Sequence, residues 1–113
     1  MNHIKLIITT FLLSVSSSSF GAGSYCDTWG CIGTITTLYT TTGGKTYVGM
    51  DADEKLANCA PESNVYFTLK NDADDRVYSS LLSSYVSGKK IQLRVSEGSV
   101  GCIISYVRLD ASY

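Results

Sequence analysis

Residues 74–96 read DDRVYSSLLSSYVSGKKIQLRVS and predict a helix that leads directly into a strand. One face of the helix is apolar, because large side chains recur at i, i+4 and i+8: Val77, Leu81 and Tyr85. Asp74 or Asp72 can cap the start of the helix, and Gly88 is well placed to end it. The strand that follows, 90–96, alternates, and its inward set is Ile91, Leu93 and Val95.

Upstream, residues 33–42 (GTITTLYTTT) are rich in β-branched and aromatic side chains and predict the first strand. Its apolar positions, Ile35 and Leu38, are three apart, whereas strict alternation needs an even spacing. We therefore expect a bulge near residues 36–37. The glycine pair at 43–44 suits a hairpin turn.

Three further segments complete the predicted strands: 45–51, 64–70 and 102–109. In the segment 64–70 the inward set is Val65, Phe67 and Leu69. In the last segment the inward set is Ile103, Val107 and Leu109. The element order is then β-β-β-α-β-β, which is that of an OB-fold, so we predict a mainly β domain: a five-stranded OB-like barrel with one helix. A small sandwich or an α+β roll shares this order.

The N-terminus has the pattern of a secretory signal peptide, residues 1–21, ahead of a single domain, 22–113. A short basic start is followed by an apolar run, 6–15, and then by small polar residues. That run is far shorter than the roughly 20 residues of a membrane-spanning helix. Cleavage is expected after Gly21 or after Ala22, and it would release the protein into the periplasm or the medium.

The four cysteines all lie in the predicted mature domain, which has about 90 residues and a correspondingly modest core. An even cysteine count in a small exported chain predicts two disulfides. Three pairings are open, and we favour Cys26–Cys31 together with Cys59–Cys102. A zinc site is the weaker alternative, because no CxxC pair is present.

The histidine content and the charge limit the function. The only histidine, His3, lies in the signal peptide, so the mature domain lacks the base of a Ser-His-Asp or Cys-His nucleophile arrangement. Removing Lys5 from nine basic residues leaves eight, against ten acidic ones. This balance gives no basic field for nucleic acid or an anionic membrane.

Two acidic clusters could hold a cation. Asp51, Asp53 and Glu54 offer oxygens of the kind that Ca²⁺ prefers, but the glycine and distal glutamate of an EF-hand loop are missing. We interpret this cluster as a turn and the one at 72–75 as a helix cap. We predict no metal site and no cofactor.

Polar and aromatic side chains on the outward positions of the strands form the candidate binding face. This set is Tyr66, Thr68, Gln92, Arg94, Tyr106 and Arg108. Tyrosine with a few polar groups suits stacking on a sugar, and Tyr and Arg also suit a subunit interface. An ordinary solvent-facing sheet with cross-strand pairs is the third interpretation.

Two further features are candidate contact sites for another subunit or a partner. Serines fill the helix side opposite the apolar stripe, where small residues allow close packing against another subunit: Ser79, Ser80, Ser83 and Ser84. Trp29 lies inside the Cys26–Cys31 loop and either plugs the barrel end or contacts a partner.

The order of these segments resembles a known family. Gly33-Thr34-Ile35 opens the first strand, a cysteine precedes an aromatic strand (59–67), and Gly101-Cys102 comes late. With the helix-to-strand run of residues 78–93, they are similar to small secreted bacterial proteins related to the B subunit of subtilase cytotoxin. The resemblance covers about residues 31–109.

The resemblance implies an OB-fold, a homopentameric ring and binding of cell-surface glycans. A toxin A subunit would then be a partner, where one exists. The toxin subunits use a serine just before the first-strand glycine to bind sialic acid, and here that place holds Ile32. Recognition of sialic acid is therefore not carried over.

The sequence indicates two candidate functions. The first is a secreted, non-catalytic binding module, glycan-binding and homo-oligomeric as the resemblance implies. The second is a periplasmic or secreted protein-interaction or inhibitor domain with no toxin role. The missing histidine and the lack of a paired-carboxylate motif argue against an enzyme.

Overall fold

Residues 23–113 are described by the computed structural model and contain seven β-strands and one α-helix. The strands are β1 Tyr25–Asp27, β2 Gly30–Gly33, β3 Ile35–Thr40, β4 Thr46–Met50, β5 Phe67–Leu69, β6 Ile91–Val95 and β7 Ile104–Arg108. The helix α1 is Asp75–Ser87, and a 3-10 turn spans Glu54–Leu56. The predicted signal peptide lies outside the described residues.

The strands form two antiparallel sheets, one ordered β1-β2-β6-β7 and the other β3-β4-β5. The prediction of a mainly β domain with one helix is confirmed, but the prediction that five strands close into one barrel is wrong. The predicted strand 33–42 is divided at Thr34, so that Gly33 ends β2 in one sheet and Ile35 begins β3 in the other. The disulfide loop adds β1, which pairs with β2.

Thr34 is held at the division between the sheets by Asp51. Its N–H donates to Asp51 Oδ1 over 2.9 Å, and its hydroxyl donates to Oδ2 over 2.7 Å. The Asp51 N–H in turn donates to the Thr34 carbonyl over 3.1 Å. This anchor fixes the bend that lets one stretch of chain serve both sheets.

The predicted bulge in the first strand is confirmed, because Ile35 pairs with Met50 and Thr37 with Gly49, which leaves Thr36 without an opposite residue. The turn after β3 is closed by Gly44, whose φ of +84° favours glycine. The strand predicted at 64–70 shortens to β5, because residues 63–66 form a turn in which the Tyr66 N–H donates to the Ser63 carbonyl.

A second bulge, which the sequence did not predict, changes which side chains of β7 point toward the core. Arg94 pairs with Tyr106 and Val95 with Ile104, so Ser105 is left over. Ile104 therefore joins Val107 against the core. The predicted inward set is wrong at both ends, since Ile103 is only partly buried and Leu109 is 54% exposed.

Helix α1 begins and ends as predicted. The Asp74 carboxylate caps it by accepting from the Arg76 N–H over 2.8 Å, and Gly88 ends it at φ +68°. The apolar stripe is wrong at its C-terminal end, because Leu81 and Ser84 are buried whereas Tyr85 is 47% exposed. A small serine lets the helix approach the sheets closely, and its hydroxyl donates to the Ser80 carbonyl over 2.8 Å. The serines therefore do not form a single exposed face.

Both predicted disulfides are present. Cys26–Cys31 joins directly opposite residues of β1 and β2, and Cys59–Cys102 joins the loop after the 3-10 turn to the approach to β7. The core between the sheets and the helix is apolar, and its most completely buried large side chains are Phe67, Leu81, Ile91, Leu93 and Val48. None of the helices within 23–113 is both long and apolar enough to cross a lipid bilayer.

Candidate functional site

The six side chains predicted to share one exposed face lie on two sheets. Four of them come together on the outer face of β6 and β7, where Gln92 is opposite Arg108 and Arg94 is opposite Tyr106. We call these four residues the arginine face. Thr68 lies in β5 of the other sheet, and Tyr66 immediately precedes that strand. The predicted site is therefore two separate surfaces.

On the arginine face, two side chains are engaged by the C-terminal segment. The Tyr113 hydroxyl donates to Gln92 Oε1 over 3.1 Å, and Arg108 forms an ion pair with Asp110 at 3.2 Å. In contrast, the guanidinium of Arg94 forms no side-chain hydrogen bond or ion pair within residues 23–113. The Tyr106 hydroxyl likewise makes no hydrogen bond within this range, so Arg94 and Tyr106 are the side chains on this face that can meet a partner.

Thr68 is in the predicted alternation but is not available to a ligand. It lies directly opposite Tyr47, on the side of the sheet away from Phe67 and Leu69, yet it is only 1% exposed. Its Oγ1 is the one buried side-chain polar atom of residues 23–113 without a hydrogen-bond partner. The prediction of an exposed threonine is wrong, because the chain at Cys102 and Ile103 runs alongside Thr68: the Thr68 N–H donates to the Cys102 carbonyl, and Thr68 forms a parallel bridge with Ile103.

Three tyrosine rings pack together on the outer face of the three-stranded sheet, and we call them the tyrosine cluster: Tyr39, Tyr47 and Tyr66. Tyr39 and Tyr47 are directly opposite on β3 and β4, and their ring centroids are 5.0 Å apart with the planes tilted by 35°. Tyr66 meets Tyr39 edge to face, at 5.9 Å and 78°. Each ring of the cluster therefore contacts at least one other ring.

Gly49 makes room for the cluster. A Cβ at this position would lie 2.9 Å from Cε1 of Tyr66 and 3.1 Å from Cβ of Thr37. The first distance is shorter than Cβ contacts in proteins and the second is tight, so any larger residue would displace the Tyr66 ring. The close approach of the ring to the sheet thus depends on a glycine in β4.

A carboxylate is anchored at the rim of the tyrosine cluster. Glu62 Oε1 accepts hydrogen bonds from Lys45 Nζ over 2.9 Å and from the Tyr47 hydroxyl over 2.8 Å. The bond from Lys45, then the bond from Tyr47, lower the pKa of Glu62, and the bond to Glu62 raises the pKa of Tyr47. Ser63 and Tyr39 share a hydrogen bond at 3.2 Å between their hydroxyls.

The arrangement offers aromatic faces beside fixed hydrogen-bonding groups. Glu62 is ionised at neutral pH, so its second oxygen can accept from a ligand hydroxyl. The Tyr66 hydroxyl makes no hydrogen bond within residues 23–113 and can donate or accept. The sequence predicted Tyr66 but missed Tyr39, Tyr47 and Glu62. Tyr39 and Tyr47 pair because the loop between β3 and β4 is centred on Gly43, whereas a two-residue turn at 43–44 would have placed Tyr39 opposite Val48.

The acidic residues at 51–54 accept hydrogen bonds from backbone N–H groups. Besides the Asp51 anchor on Thr34, Asp53 Oδ1 accepts from the Lys55 N–H and Glu54 Oε1 accepts from the Met50 N–H over 2.9 Å. Within the described part of the chain, no three His, Cys, Asp or Glu residues are grouped so as to hold a metal ion.

Trp29 lies at the edge of the four-stranded sheet. Its ring is partly buried and meets Tyr25 edge to face at 6.2 Å, outside the core cluster. The prediction that it plugs the end of a barrel is therefore wrong, because the hairpin of β1 and β2 holds it on the surface.

Comparison of the chain with models of protein families, with curated proteins and with solved structures gives no match.

Proposed function

We propose that this protein is an exported, non-catalytic binding module that holds a carbohydrate on the tyrosine cluster. The observation that carries the proposal is the set of three mutually packed tyrosine rings beside the anchored Glu62 carboxylate. Sugar rings present C–H groups that pack on aromatic faces and hydroxyls that donate to carboxylates. Two disulfides and the sequence pattern of residues 1–21 support export to the periplasm or beyond.

The proposal places the sugar at the tyrosine cluster and not on the arginine face. Ile32 lies opposite Gln92 at the edge of that face, and it is the residue that departs from the sialic-acid pattern of the resembling toxin subunits. An apolar side chain there offers no partner to a sugar hydroxyl. The tyrosine cluster, in contrast, combines aromatic faces with acceptors at one place.

We also propose an OB-like arrangement, as the resemblance implies. Two features support it: only Thr34 separates β2 from β3, so one segment of chain joins both sheets, and Thr68 forms a parallel bridge with Ile103. The helix lies between β5 and β6 in sequence. The two sheets would then be parts of one open, OB-like arrangement of the seven strands.

Assembly with further copies of the chain belongs to the same proposal. One face of α1 exposes apolar side chains at adjacent helical positions, namely Leu82 at 42%, Tyr85 at 47% and Val86 at 77%. A single sugar site is weak, and several sites on one oligomer raise the avidity by about 10²–10⁴ without any new contact. A ring of identical subunits, as the resemblance implies, would supply this.

A glycan array with the mature protein tests the binding proposal. We expect binding to a defined set of sugars that Tyr66→Ala and Gly49→Ala weaken, the first by loss of the ring and the second by displacing it. Tyr25→Ala, which removes a 45%-exposed tyrosine outside both the cluster and the proposed assembly surface, is the matched control and should keep the affinity. Light scattering measures the oligomer. Binding that is unaffected by Tyr66→Ala refutes the proposed site.

The arginine face favours a second candidate, a protein-interaction or inhibitor domain. Arg94 without a partner and the 40%-exposed Tyr106 across from it are residues that dominate protein interfaces. If this function holds, Arg94→Ala should abolish capture of one exported enzyme while Tyr66→Ala leaves capture unchanged. The reverse pattern on sugars would reject this candidate.

A further inference from the structure

The polar rim of the tyrosine cluster is built by two consecutive residues, Glu62 and Ser63. Glu62 Oε1 accepts from Lys45 Nζ over 2.9 Å and from the Tyr47 hydroxyl over 2.8 Å. The Ser63 hydroxyl shares a hydrogen bond with the Tyr39 hydroxyl at 3.2 Å. One short segment therefore fixes the polar ends of two rings. Because these contacts exist before any ligand arrives, a ligand is spared the entropy of ordering the rim.

Three polar groups on this rim keep hydrogen-bonding capacity for a ligand. An ammonium group has three donors, and Lys45 Nζ uses one of them on Glu62. Glu62 Oε2 accepts no hydrogen bond from any described residue, and the Tyr47 oxygen, which donates its proton to Oε1, can still accept. The side chains of Lys45 and Glu62 are 50% and 31% exposed. The rim thus offers a ligand one donor group and two acceptors, all around a single carboxylate.

The combination of a donor with two acceptors decides which ligand groups fit. A ligand carboxylate can only accept and a ligand ammonium can only donate, so neither satisfies both kinds of group. A single hydroxyl has one proton, so it can donate to Glu62 Oε2 or to Tyr47, but not to both. Two hydroxyls on adjacent carbons carry two protons and lie about one hydrogen-bond length apart. They can therefore donate to both acceptors while one of them accepts from Lys45.

We propose that the tyrosine cluster recognises a vicinal diol of a neutral pyranose, whose two hydroxyls are held by Lys45, Tyr47 and Glu62. The inference rests on the carbohydrate proposal and adds the substrate class, a sugar with adjacent free hydroxyls. The C–H face of the sugar packs on Tyr39, which at 38% is the most exposed ring of the cluster. The hydrogen bonds to Lys45 and Glu62 are charge-assisted and so contribute most to the recognition.

Two-dimensional NMR of the ¹⁵N-labelled mature protein tests the diol, with the methyl β-pyranosides of glucose and galactose as parent probes. Their 3-deoxy analogues have no two hydroxyls on adjacent carbons, whereas their 6-deoxy analogues also lose one hydroxyl but keep every ring diol. We expect at least one parent sugar to shift the amides around Tyr39, Tyr47 and Glu62 in a saturable way. Its 3-deoxy analogue should bind about tenfold more weakly, the loss of one charge-assisted hydrogen bond. The 6-deoxy analogue should bind about as tightly as the parent.

Glu62→Gln tests the carboxylate, because it replaces an accepting oxygen by an amide nitrogen that only donates. We expect it to weaken binding of the parent sugar about tenfold. Its effect and that of the 3-deoxy sugar should be less than additive, since both remove the same hydrogen-bonded pair. Glu97→Gln, which removes the same charge from an exposed residue outside the cluster, is the matched control and should leave binding unchanged.

Equal binding of the parent and 3-deoxy sugars refutes the diol and leaves the carbohydrate proposal standing, because a sugar is then still bound. This comparison uses the unaltered protein, so it holds even if Glu62→Gln disturbs the fold. Equal weakening by Glu62→Gln and Glu97→Gln also refutes the diol, since it shows only a general effect of net charge. If neither parent sugar shifts these amides, the diol is rejected, and the glycan array decides separately whether the carbohydrate proposal fails with it.

Discussion

Removing the two disulfides one at a time should destabilise the protein unequally. Cys59–Cys102 joins residues 43 apart in sequence, and Cys26–Cys31 joins residues 5 apart. In the chain-entropy treatment the longer loop contributes about 4 kcal/mol at 25 °C and the shorter about 2 kcal/mol. Both cysteines of the short loop are buried, Cys26 at 7% and Cys31 at 0%, whereas Cys59 is only partly buried beside Cys102 at 2%. The alanine cavities therefore act against the loop-length effect, which makes the difference of about 2 kcal/mol an upper value.

Urea unfolding of the Cys59→Ala/Cys102→Ala and Cys26→Ala/Cys31→Ala variants, followed by far-UV circular dichroism, measures the difference. We expect the first variant to be less stable by about 2 kcal/mol, and its melting temperature to be lower by about 10 °C for a domain of this size. Equal losses, or a larger loss for the short loop, would refute the reasoning. Such a result would mean that strain or unfolded-state structure outweighs loop length.

Three further predictions concern the core, the buried hydroxyl and pH. Leu81→Ala should lower the free energy of unfolding by about 3 kcal/mol because Leu81 is fully buried. Val86→Ala, on the exposed side of the helix, should change it by less than about 0.5 kcal/mol. Equal urea midpoints for the two variants would contradict the orientation of the helix. Thr68→Val should raise the free energy of unfolding by about 1 kcal/mol, because it removes a buried hydroxyl without a partner; destabilisation in the same assay would show that the hydroxyl is bonded. Partial burial alone would raise the pKa of Asp51, but hydrogen bonds from the Thr34 hydroxyl, then from Ser24 and the Thr34 N–H, hold it below its usual range. The ionised Asp51 therefore stabilises the fold above about pH 4, and this stabilisation is lost as the pH falls further. The difference in free energy of unfolding between wild type and Asp51→Asn should thus decrease from pH 7 to pH 2.5. A constant difference in urea titrations would reject the role of Asp51.

Local patterns predicted the parts of the fold that depend on local chemistry. The odd spacing of Ile35 and Leu38 predicted the first bulge, and the same odd spacing between Ile104 and Val107 marks the second. The second was missed because Ile103 also fits an alternating pattern with Val107. When two adjacent isoleucines compete for the core, only the pairing with β6 decides between them.

The candidate site depends on contacts that no local pattern encodes. Thr68 alternates correctly with its neighbours, but the return of the chain at Cys102 covers it. Residues 110–113 have no periodic pattern, so nothing in the sequence indicated that the Tyr113 hydroxyl would reach Gln92. The pairing of Tyr39 with Tyr47 depends on a loop centred on Gly43 and not on the glycine pair 43–44, and no local pattern decides between these two registers.

The pairing of β2 has a consequence for the order in which the protein folds. Gly30–Gly33 pair with Ile91–Arg94, so about sixty residues must follow β2 before its main partner exists. As the chain emerges from a ribosome or a translocation channel, β2 can form only the three-residue ladder with β1 until then. Pairing between such distant segments makes folding slow. The four-stranded sheet is therefore completed late, after nearly the whole domain has emerged.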